Sequence, residues 1–507
     1  MIYLIITFTV LFLLLAWRRL DWAVMFLIAA LPTYLIRFNI FWLPATLLEV
    51  MVWVVFMVWL VKNFGQVKNN FLENFKKDSK KVKIRYPFDW EIVLMVMVAL
   101  AAAAVAGFSA ASFGIWKAYF FEPALFFVVV FNVMAGQKGR EKILWALAAS
   151  ALVVSLLVIY QKITGQLIGN AFWAAVETRR AVSFFGYPNA VGLYLGPIIL
   201  MMAGWLASAT AVYFRHSRES GNPESHCWLS RRVSGLRLGG RNDNKMVARN
   251  GRIAIIFISL TIILSLLSIY FAKSKGALMG VAAGLVMFGL LAGKKIRWAV
   301  IVILILAGLA VAVYQPARNL AVSNFTLTNK SGQIRQAGWA DGWKMLKDGR
   351  LITGAGLANY QIAVAPYHTE GIFIKDFSDP DAQRKLVFNE TYRAAHWQPL
   401  EIYLYPHNLV LNFWSELGLA GLLLFIWIIL KYFWLGISSL SLRGSASDRS
   451  NLTTEKYLVI GLIGAMVVII VHGLVDVPYF KNDLAIMFWL FIAMMGIINK
   501  AKARINV

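Results

Sequence analysis

The stretch IAIIFISLTIILSLLSIYFA, residues 253–272, contains no charged residue and no proline over twenty positions. A helix needs about 20 apolar residues to cross the hydrocarbon layer of a membrane. Similar runs recur along the whole chain, so the sequence predicts an all-α polytopic membrane protein with about twelve or thirteen transmembrane helices. The predicted spans are residues 1–17, 22–36, 40–61, 91–108, 116–135, 143–161, 190–214, 253–272, 276–293, 298–314, 409–435, 457–475 and 484–499.

The composition excludes a water-soluble fold. Of the 507 residues, 60% are hydrophobic and 15% are charged, and the mean hydropathy is +0.66. A soluble domain has a far higher charged fraction and could not bury this much apolar surface. The first run has no small-residue cleavage site, so we expect a retained helix there and not a removable signal peptide.

The net charge of +25 is explained by membrane topology. Basic residues gather between the apolar runs: eight Lys or Arg against three acids in residues 62–90, and nine against three in residues 215–252. If every run crosses once, all the basic clusters fall on one side, as the positive-inside rule requires of the cytoplasmic face. This distribution argues against nucleic-acid binding.

Three regions follow from this topology: N-terminal transmembrane helices in residues 1–314, a large periplasmic loop in 315–406, and C-terminal transmembrane helices in 407–507. The loop holds ten basic and eight acidic residues between positions 315 and 401. A balanced segment of this length is rarely a mere connector, so it is the first candidate for the functional part.

The longest cytoplasmic stretch contains a polar insertion at residues 216–245. It is rich in Gly, Ser, Asn and Arg and poor in apolar residues, which predicts disorder. The single cysteine, Cys227, lies within it, so we expect neither a disulfide framework nor a cysteine-based metal site.

Two arginines stand in TRRAVSFFGYPN, residues 178–189, directly before a predicted helix. A guanidinium is a permanent planar cation with five donors, which suits a phosphate at a membrane surface. Arg179 and Arg180 are therefore candidate anion-binding residues, with contact to lipid headgroups as the alternative.

A second cluster, SGQIRQAGWADGWKMLKDGRLITGAGLANY, occupies residues 331–360 of the large loop. Its pattern predicts a helix that begins near Arg335 and ends at Gly349. One face of this helix is expected to be covered by Ala337, Ala340, Trp343, Met345 and Leu346. Gly354 and Gly356 permit a tight turn or a close backbone approach, although such pairs mark ordinary turns more often than phosphate loops.

A third cluster, YLYPHNLVLNFWSELGLAG, covers residues 403–421, where the loop returns to the membrane. His407 at the mouth of this helix can take a proton from a hydroxyl, with a structural hydrogen-bonding role as the alternative. Glu416 lies inside the apolar helix and needs a partner there. His472 and Asp476 share one helix face; two ligands are too few for a metal site, so a structural hydrogen bond between them is favoured.

Together these clusters resemble a known family. PHNLVLNFWSELGLAGLLLF (406–425), the GAGLANY turn (354–360) and RRAVSFFGYPNAVGLYLGP (179–197) are similar to segments of the O-antigen ligase and O-antigen polymerase superfamily. FAKSKGALMG (271–280) resembles another recurrent piece, but Lys275 stands where the family usually has arginine. That substitution keeps the charge and removes bidentate binding, so we assign Lys275 no catalytic part.

The resemblance implies a GT-C-like bacterial glycosyltransferase of the inner membrane, working without cofactor or metal. It would move a glycan from undecaprenyl pyrophosphate to a lipid A-core or similar acceptor hydroxyl on the periplasmic side. By position, Arg180 and Arg335 would bind the donor pyrophosphate, with Arg179 as an alternative to Arg180, and His407 would act at the acceptor. Gly354, Gly356 and Glu416 are further candidates.

Other functions remain open at this point. The same architecture would serve a polymerase joining repeat units or a transferase acting on protein Ser or Thr. A glycolipid transporter is disfavoured because no paired halves with discontinuous helices are visible.

Overall fold

The computed structural model describes residues 2–40, 43–75, 87–219, 241–377, 379, 381–441 and 449–503. In this part of the chain, ten helices are long and apolar enough to cross a membrane. The chain is therefore an all-α polytopic membrane protein. The ten spans are Leu47–Gly65, Ala110–Val133, Gln137–Thr164, Pro188–Tyr213, Arg252–Phe271, Lys275–Ala292, Lys294–Val313, Leu409–Ser441, Glu455–Gly473 and Asn482–Ala501.

The remaining predicted spans are occupied by shorter apolar helices. Tyr3–Arg18 and Leu20–Ala29 lie in the first two spans, and the helix Asp89–Val105 lies in the fourth. The second helix stops at Ala29, a short 3-10 turn follows at Leu31–Leu35, and a small hairpin then leads to the next span. Ten long helices and three shorter ones thus account for the predicted spans.

The full secondary structure is as follows. The helices are Ile2–Arg18, Leu20–Ala29, Leu31–Leu35, Leu47–Phe75, Asp89–Val105, Ala110–Trp116, Lys117–Phe121, Glu122–Val133, Gln137–Thr164, Ala171–Ala174, Pro188–Glu219, Arg241–Phe271, Lys275–Ala292, Lys294–Val313, Gln315–Phe325, Lys330–Met345, Leu346–Arg350, Tyr360–Val364, Ala365–Tyr367, Ala382–Phe388, Glu390–His396, Leu409–Ser441, Arg449–Gly473 and Asn482–Ala503. Two antiparallel strand pairs join Arg37–Ile40 to Leu43–Thr46 and Gly371–Phe373 to Trp397–Pro399.

Glycines let the central helices approach closely. The helix Pro188–Glu219 packs against Arg449–Gly473 and Lys275–Ala292. A Cβ added to Gly204 would lie 2.6 Å from the Tyr457 carbonyl oxygen, so no larger residue fits at this crossing. Small residues at such crossings give membrane helices the close packing that lipid, being equally apolar, does not otherwise favour.

The segment 315–406 is anchored by its own small hydrophobic cluster. The cluster consists of Met345, Leu346, Ala355, Tyr360, Ala363 and Val364. Trp414, from the helix that follows the segment, packs against this cluster. The segment is thus fastened to the start of the helix Leu409–Ser441.

The helix predicted around Arg335 is confirmed as Lys330–Met345, and Gly349 leaves helical geometry at φ 74°. The expected apolar face is wrong in part. Met345 is buried, but Trp343 is 38% exposed, and Asp341 is buried in its place. The carboxylate of Asp341 accepts hydrogen bonds from Thr369, which makes its burial tolerable.

Parts of the predicted basic loops lie outside the described residues. The helix Leu47–Phe75 runs into the stretch 62–90, and residues 76–86 are not described. Two helices reach into the ends of the insertion 216–245, whereas residues 220–240, with Cys227, lie outside the described part.

Candidate active site

Arg179 and Arg180, although adjacent, diverge. The guanidinium of Arg179 donates to the carbonyl oxygens of Ala174 and Lys162, both at 3.2 Å. It thereby occupies the carbonyl end of the helix Gln137–Thr164, where a cation is favourable. Arg180 instead reaches across to the turn after Phe271 and donates to the carbonyl oxygen of Ala272 at 3.0 Å.

Arg335 lies near Arg180 and carries an unused donor. Its Nη1 donates to Ser331 Oγ at 2.7 Å, while its buried Nε has no hydrogen-bond partner among the described residues. Burial lowers the pKa of both guanidiniums, and the charge of Arg335 lowers the pKa of Arg180 further. Two like charges held together with a free donor form a site that an anion would stabilise.

His407 is held at the entrance of the helix Leu409–Ser441 in an unusual backbone conformation. Its φ is 49°, a region that costs energy for a residue with a side chain. Two contacts impose it. Trp339 Nε1 donates to the Pro406 carbonyl oxygen at 2.7 Å, and Asn408 accepts the Leu411 amide at 2.9 Å as a helix cap. Contacts on both sides hold this strained backbone in place, and the His407 side chain is 30% exposed.

The nearest charged partner of His407 is Asp476. Nδ1 of His407 lies 3.6 Å from Oδ1 of Asp476, which is ion-pair distance. Burial alone would raise the pKa of Asp476, but His407 and His472 together with the Val477 amide hold it well below its usual range. Asp476 is therefore an ionised carboxylate that can stabilise a positive charge on the imidazole.

Asn189 links this pair to Arg180. Its amide nitrogen donates to Asp476 Oδ2 at 3.1 Å, and its amide oxygen accepts from Arg180 at 3.3 Å. A polar chain thus runs from Arg180 through Asn189 and Asp476 to His407. The expected hydrogen bond between His472 and Asp476 is not part of it. Nδ1 of the buried His472 has no hydrogen-bond partner within the described ranges.

A cavity of about 660 Å³, which we call the loop cavity, is lined by Arg180, Asn189, Arg335 and His407. Arg180, Arg335 and His407, predicted from three separate stretches of sequence, all line it. Across the described residues, no group of three or more His, Cys, Asp or Glu side chains is arranged to hold a metal ion. The loop cavity can bind an anion at one place and take up a proton beside it.

Residues 260–426 match the model of the O-antigen ligase family. The chain carries an O-antigen ligase domain. No curated protein matches the chain. The family indicates an enzyme of the ligase or polymerase type, which acts on glycans.

The O-antigen ligase domain contains Arg335 and His407, whereas Arg180 and Asp476 lie outside the matched residues. The loop cavity is therefore lined by the domain and by residues that precede it, and Asp476, which follows the domain, contacts His407. FAKSKGALMG positions Arg180, because the carbonyl oxygens of Ala272 and Lys273 accept hydrogen bonds from its guanidinium. Lys275 is not among the lining residues of the loop cavity.

Gly354, Gly356 and Glu416 lie beside the loop cavity and do not line it. Glu416 is buried and accepts the Ala358 amide at 2.7 Å, so its partner is the backbone of the glycine turn. A Cβ on Gly354 would lie 2.6 Å from the Ser415 carbonyl oxygen, and Gly356 has φ 87°. These residues join segment 315–406 to the helix that carries His407 at its entrance.

The contact with segment 315–406 also coincides with a break in the helix Leu409–Ser441. Gly418 has φ 71° and ψ −174°, and a Cβ there would lie 2.2 Å from the Ile352 carbonyl oxygen. The amide of Leu419 donates to the same oxygen at 3.0 Å. Ile352, just before the glycine turn, thus supplies an acceptor in place of the helical one that the break removes.

Sequence reasoning missed Asp476 and Asn189 as members of the site. Asn189 stands inside the quoted arginine motif, so its signal was present, but nothing in the spacing pointed to a partner. Asp476 was compared only with His472, four residues away, because helix geometry makes that pair visible. Its contact with His407 joins positions 69 apart in sequence and depends on the tertiary fold.

Proposed function

We propose that this protein is an O-antigen ligase-like glycosyltransferase. It transfers a glycan from undecaprenyl pyrophosphate to a hydroxyl of a lipid A-core or similar acceptor at the periplasmic face of the bacterial inner membrane. The observation that supports this most directly is the joint lining of the loop cavity by two guanidiniums and by His407, whose Nδ1 lies 3.6 Å from the Asp476 carboxylate. Residues 315–406 then act as the periplasmic loop that covers the site.

Arg180 and Arg335 would hold the donor pyrophosphate. During transfer, the bond between the anomeric carbon and the pyrophosphate oxygen breaks, and the electron pair leaves with the pyrophosphate. Two fixed cations are placed where this negative charge develops, and fixed charges of this kind stabilise a transition state without reorganisation. The free Nε of Arg335 is an available donor for a phosphate oxygen.

His407 would act as the general base. The acceptor oxygen attacks the anomeric carbon, its proton passes to the imidazole, and the new glycosidic bond forms. The imidazolium is then stabilised by Asp476 at 3.6 Å. This division of labour, with a base and a carboxylate that supports it, is common to enzymes that activate hydroxyl groups.

Purified protein in liposomes tests the proposal directly. With a labelled undecaprenyl-pyrophosphate glycan and the glycolipid extract of the source cell as acceptor, we expect label to move to the acceptor and undecaprenyl pyrophosphate to be released. We expect the same rate in EDTA, because Arg180 and Arg335 supply the positive charge. Donor that stays intact would contradict the proposed function, and a loss of rate in EDTA would contradict metal independence.

Cells without the protein distinguish the ligase from the polymerase. A missing ligase leaves long glycan chains on the carrier, whereas a missing polymerase leaves single repeat units attached to the acceptor. We expect the long chains. Single repeats would assign the same cavity to a polymerase, and loss of glycan from protein Ser or Thr would assign it to protein glycosylation.

Single cysteines test on which side of the membrane the segment 315–406 lies. Arg384 is exposed in the segment 315–406, and native Cys227 lies in the expected cytoplasmic insertion. On spheroplasts, a membrane-impermeant maleimide should label Arg384→Cys in a Cys227→Ser background at once. It should label Cys227 of the natural chain only after lysis. The reverse pattern would place the loop cavity on the cytoplasmic side and exclude the proposed reaction.

A further inference from the structure

The loop cavity has a second end, built on the helix that carries Arg335. Ser331, Arg335, Gly338 and Asp341 all line the loop cavity from this helix. At a rise of about 1.5 Å per residue, Asp341 lies about 9 Å beyond Arg335 along the helix axis. A Cβ on Gly338 would have no atom within 4 Å, so the space between the two charged residues is open.

A second histidine–carboxylate pair occupies this end. Nδ1 of His368 lies 4.0 Å from Oδ2 of Asp341. The Asp341 side chain is only 3% exposed, and both its oxygens accept hydrogen bonds from Thr369 at 2.8 Å. His368 is 22% exposed and lines the loop cavity. The carboxylate is thus a fixed support, and the imidazole is the group available to a ligand.

Glu401 belongs to the same end. It lines the loop cavity, and the next residue, Ile402, packs against the hydrophobic cluster that holds Tyr360 and Val364. The Ile402 carbonyl oxygen also accepts from Gln361 at 2.9 Å. This end therefore presents the His368 imidazole and the Glu401 carboxylate, while Asp341 is paired with Lys344, whose Nζ lies 3.2 Å from Oδ1. Arg180 and Arg335 provide cations at the other end.

We propose that His368, positioned by Asp341 and joined by Glu401, forms the acceptor-sugar subsite and binds hydroxyl groups of that sugar. The proposal rests on the proposed function. Hydroxyl groups both donate and accept, so a carboxylate and an imidazole match them. His368 binds the sugar; His407 removes the proton.

Saturation kinetics in proteoliposomes separate binding from chemistry. The assay uses a labelled undecaprenyl-pyrophosphate glycan at saturation and increasing amounts of the source cell's glycolipid extract. For His368→Ala, we expect the half-saturating amount of extract to rise about tenfold, the effect of losing a hydrogen bond to a polar substrate group. The rate at saturation and the half-saturating donor concentration should stay within about threefold, because the groups around the leaving pyrophosphate are intact.

Two further variants keep the test specific. His368→Gln retains a hydrogen-bonding side chain and should recover part of the lost acceptor binding. His396→Ala removes a histidine from the same segment that does not line the loop cavity, and should behave as the natural protein does.

An unchanged half-saturating amount in both His368 variants would overturn the subsite. A fall in the saturated rate alone would also overturn it, since it would place His368 in the chemistry. If the natural protein transfers no glycan, the proposed function fails and the subsite with it. That outcome differs from normal glycan transfer in which the His368 variants leave the half-saturating amount of extract unchanged.

Discussion

Replacing His407 by alanine is expected to lower glycan transfer by at least about 100-fold, the lower range of what a general base contributes. His407 lines the same cavity as the two arginines, and its imidazole has an ionised carboxylate 3.6 Å away. Removing it deprives the acceptor hydroxyl of its proposed general base. The measurement is the initial rate of transfer by purified protein, with expression and thermal stability compared in parallel.

The same experiment needs variants that separate chemistry from binding. Asp476→Asn keeps the shape of the carboxylate and removes its charge, so its transfer rate should lie between those of the natural protein and His407→Ala. Inorganic pyrophosphate should inhibit donor use equally well in His407→Ala and in the natural protein. His396→Ala is the matched control. Normal transfer by His407→Ala would remove this residue from the mechanism.

Much of the fold could be predicted from the sequence, because a membrane imposes a length on every helix. The predicted spans 276–293 and 298–314 correspond to the helices Lys275–Ala292 and Lys294–Val313, with boundaries displaced by a few residues. The small hairpin at Arg37–Ile40 and Leu43–Thr46 was not predicted. Its strands are four residues long, and short apolar runs do not distinguish a strand from the end of a helix.

In the helix around Arg335, the spacing of apolar residues did not predict which face is buried. Its existence and its end at Gly349 followed from the sequence, but the buried face did not. Asp341 was not placed on the covered face, and carboxylates are seldom fully buried. Its burial depends on Thr369, 28 positions away, which donates to both carboxylate oxygens, and on Lys344, whose Nζ lies 3.2 Å from Oδ1. The contact with Thr369 is set by tertiary structure and leaves no local signal.

The candidate site was predictable in its residue types and not in its connections. Arg180, Arg335 and His407 are polar residues next to apolar helices, and the energetic cost of such positions makes each one conspicuous. The choice of Arg180 over Arg179 as the residue lining the loop cavity could not be made from two adjacent arginines. It depends on which carbonyl oxygens lie within reach after folding.

Changing Arg335 to lysine is expected to raise the donor concentration needed for half-maximal transfer by about tenfold to 100-fold, as expected from losing a hydrogen bond to a charged group. Lysine keeps the charge and loses the planar fork that matches two phosphate oxygens. Inorganic pyrophosphate should also become a weaker competitor of the donor by a similar factor. Both effects are measured with the purified protein in liposomes.

The position of Arg335 makes this change informative. Its buried Nε has no partner within the described part of the chain, so the donor lost on substitution is one that no described protein group uses. Arg384→Lys is the matched control, because Arg384 is exposed in the same segment and does not line the loop cavity. If Arg335→Lys and Arg384→Lys both retain normal donor affinity, a guanidinium clamp on the pyrophosphate is excluded. Charge alone would then account for donor binding, and the two arginines would act as a general attraction for anions.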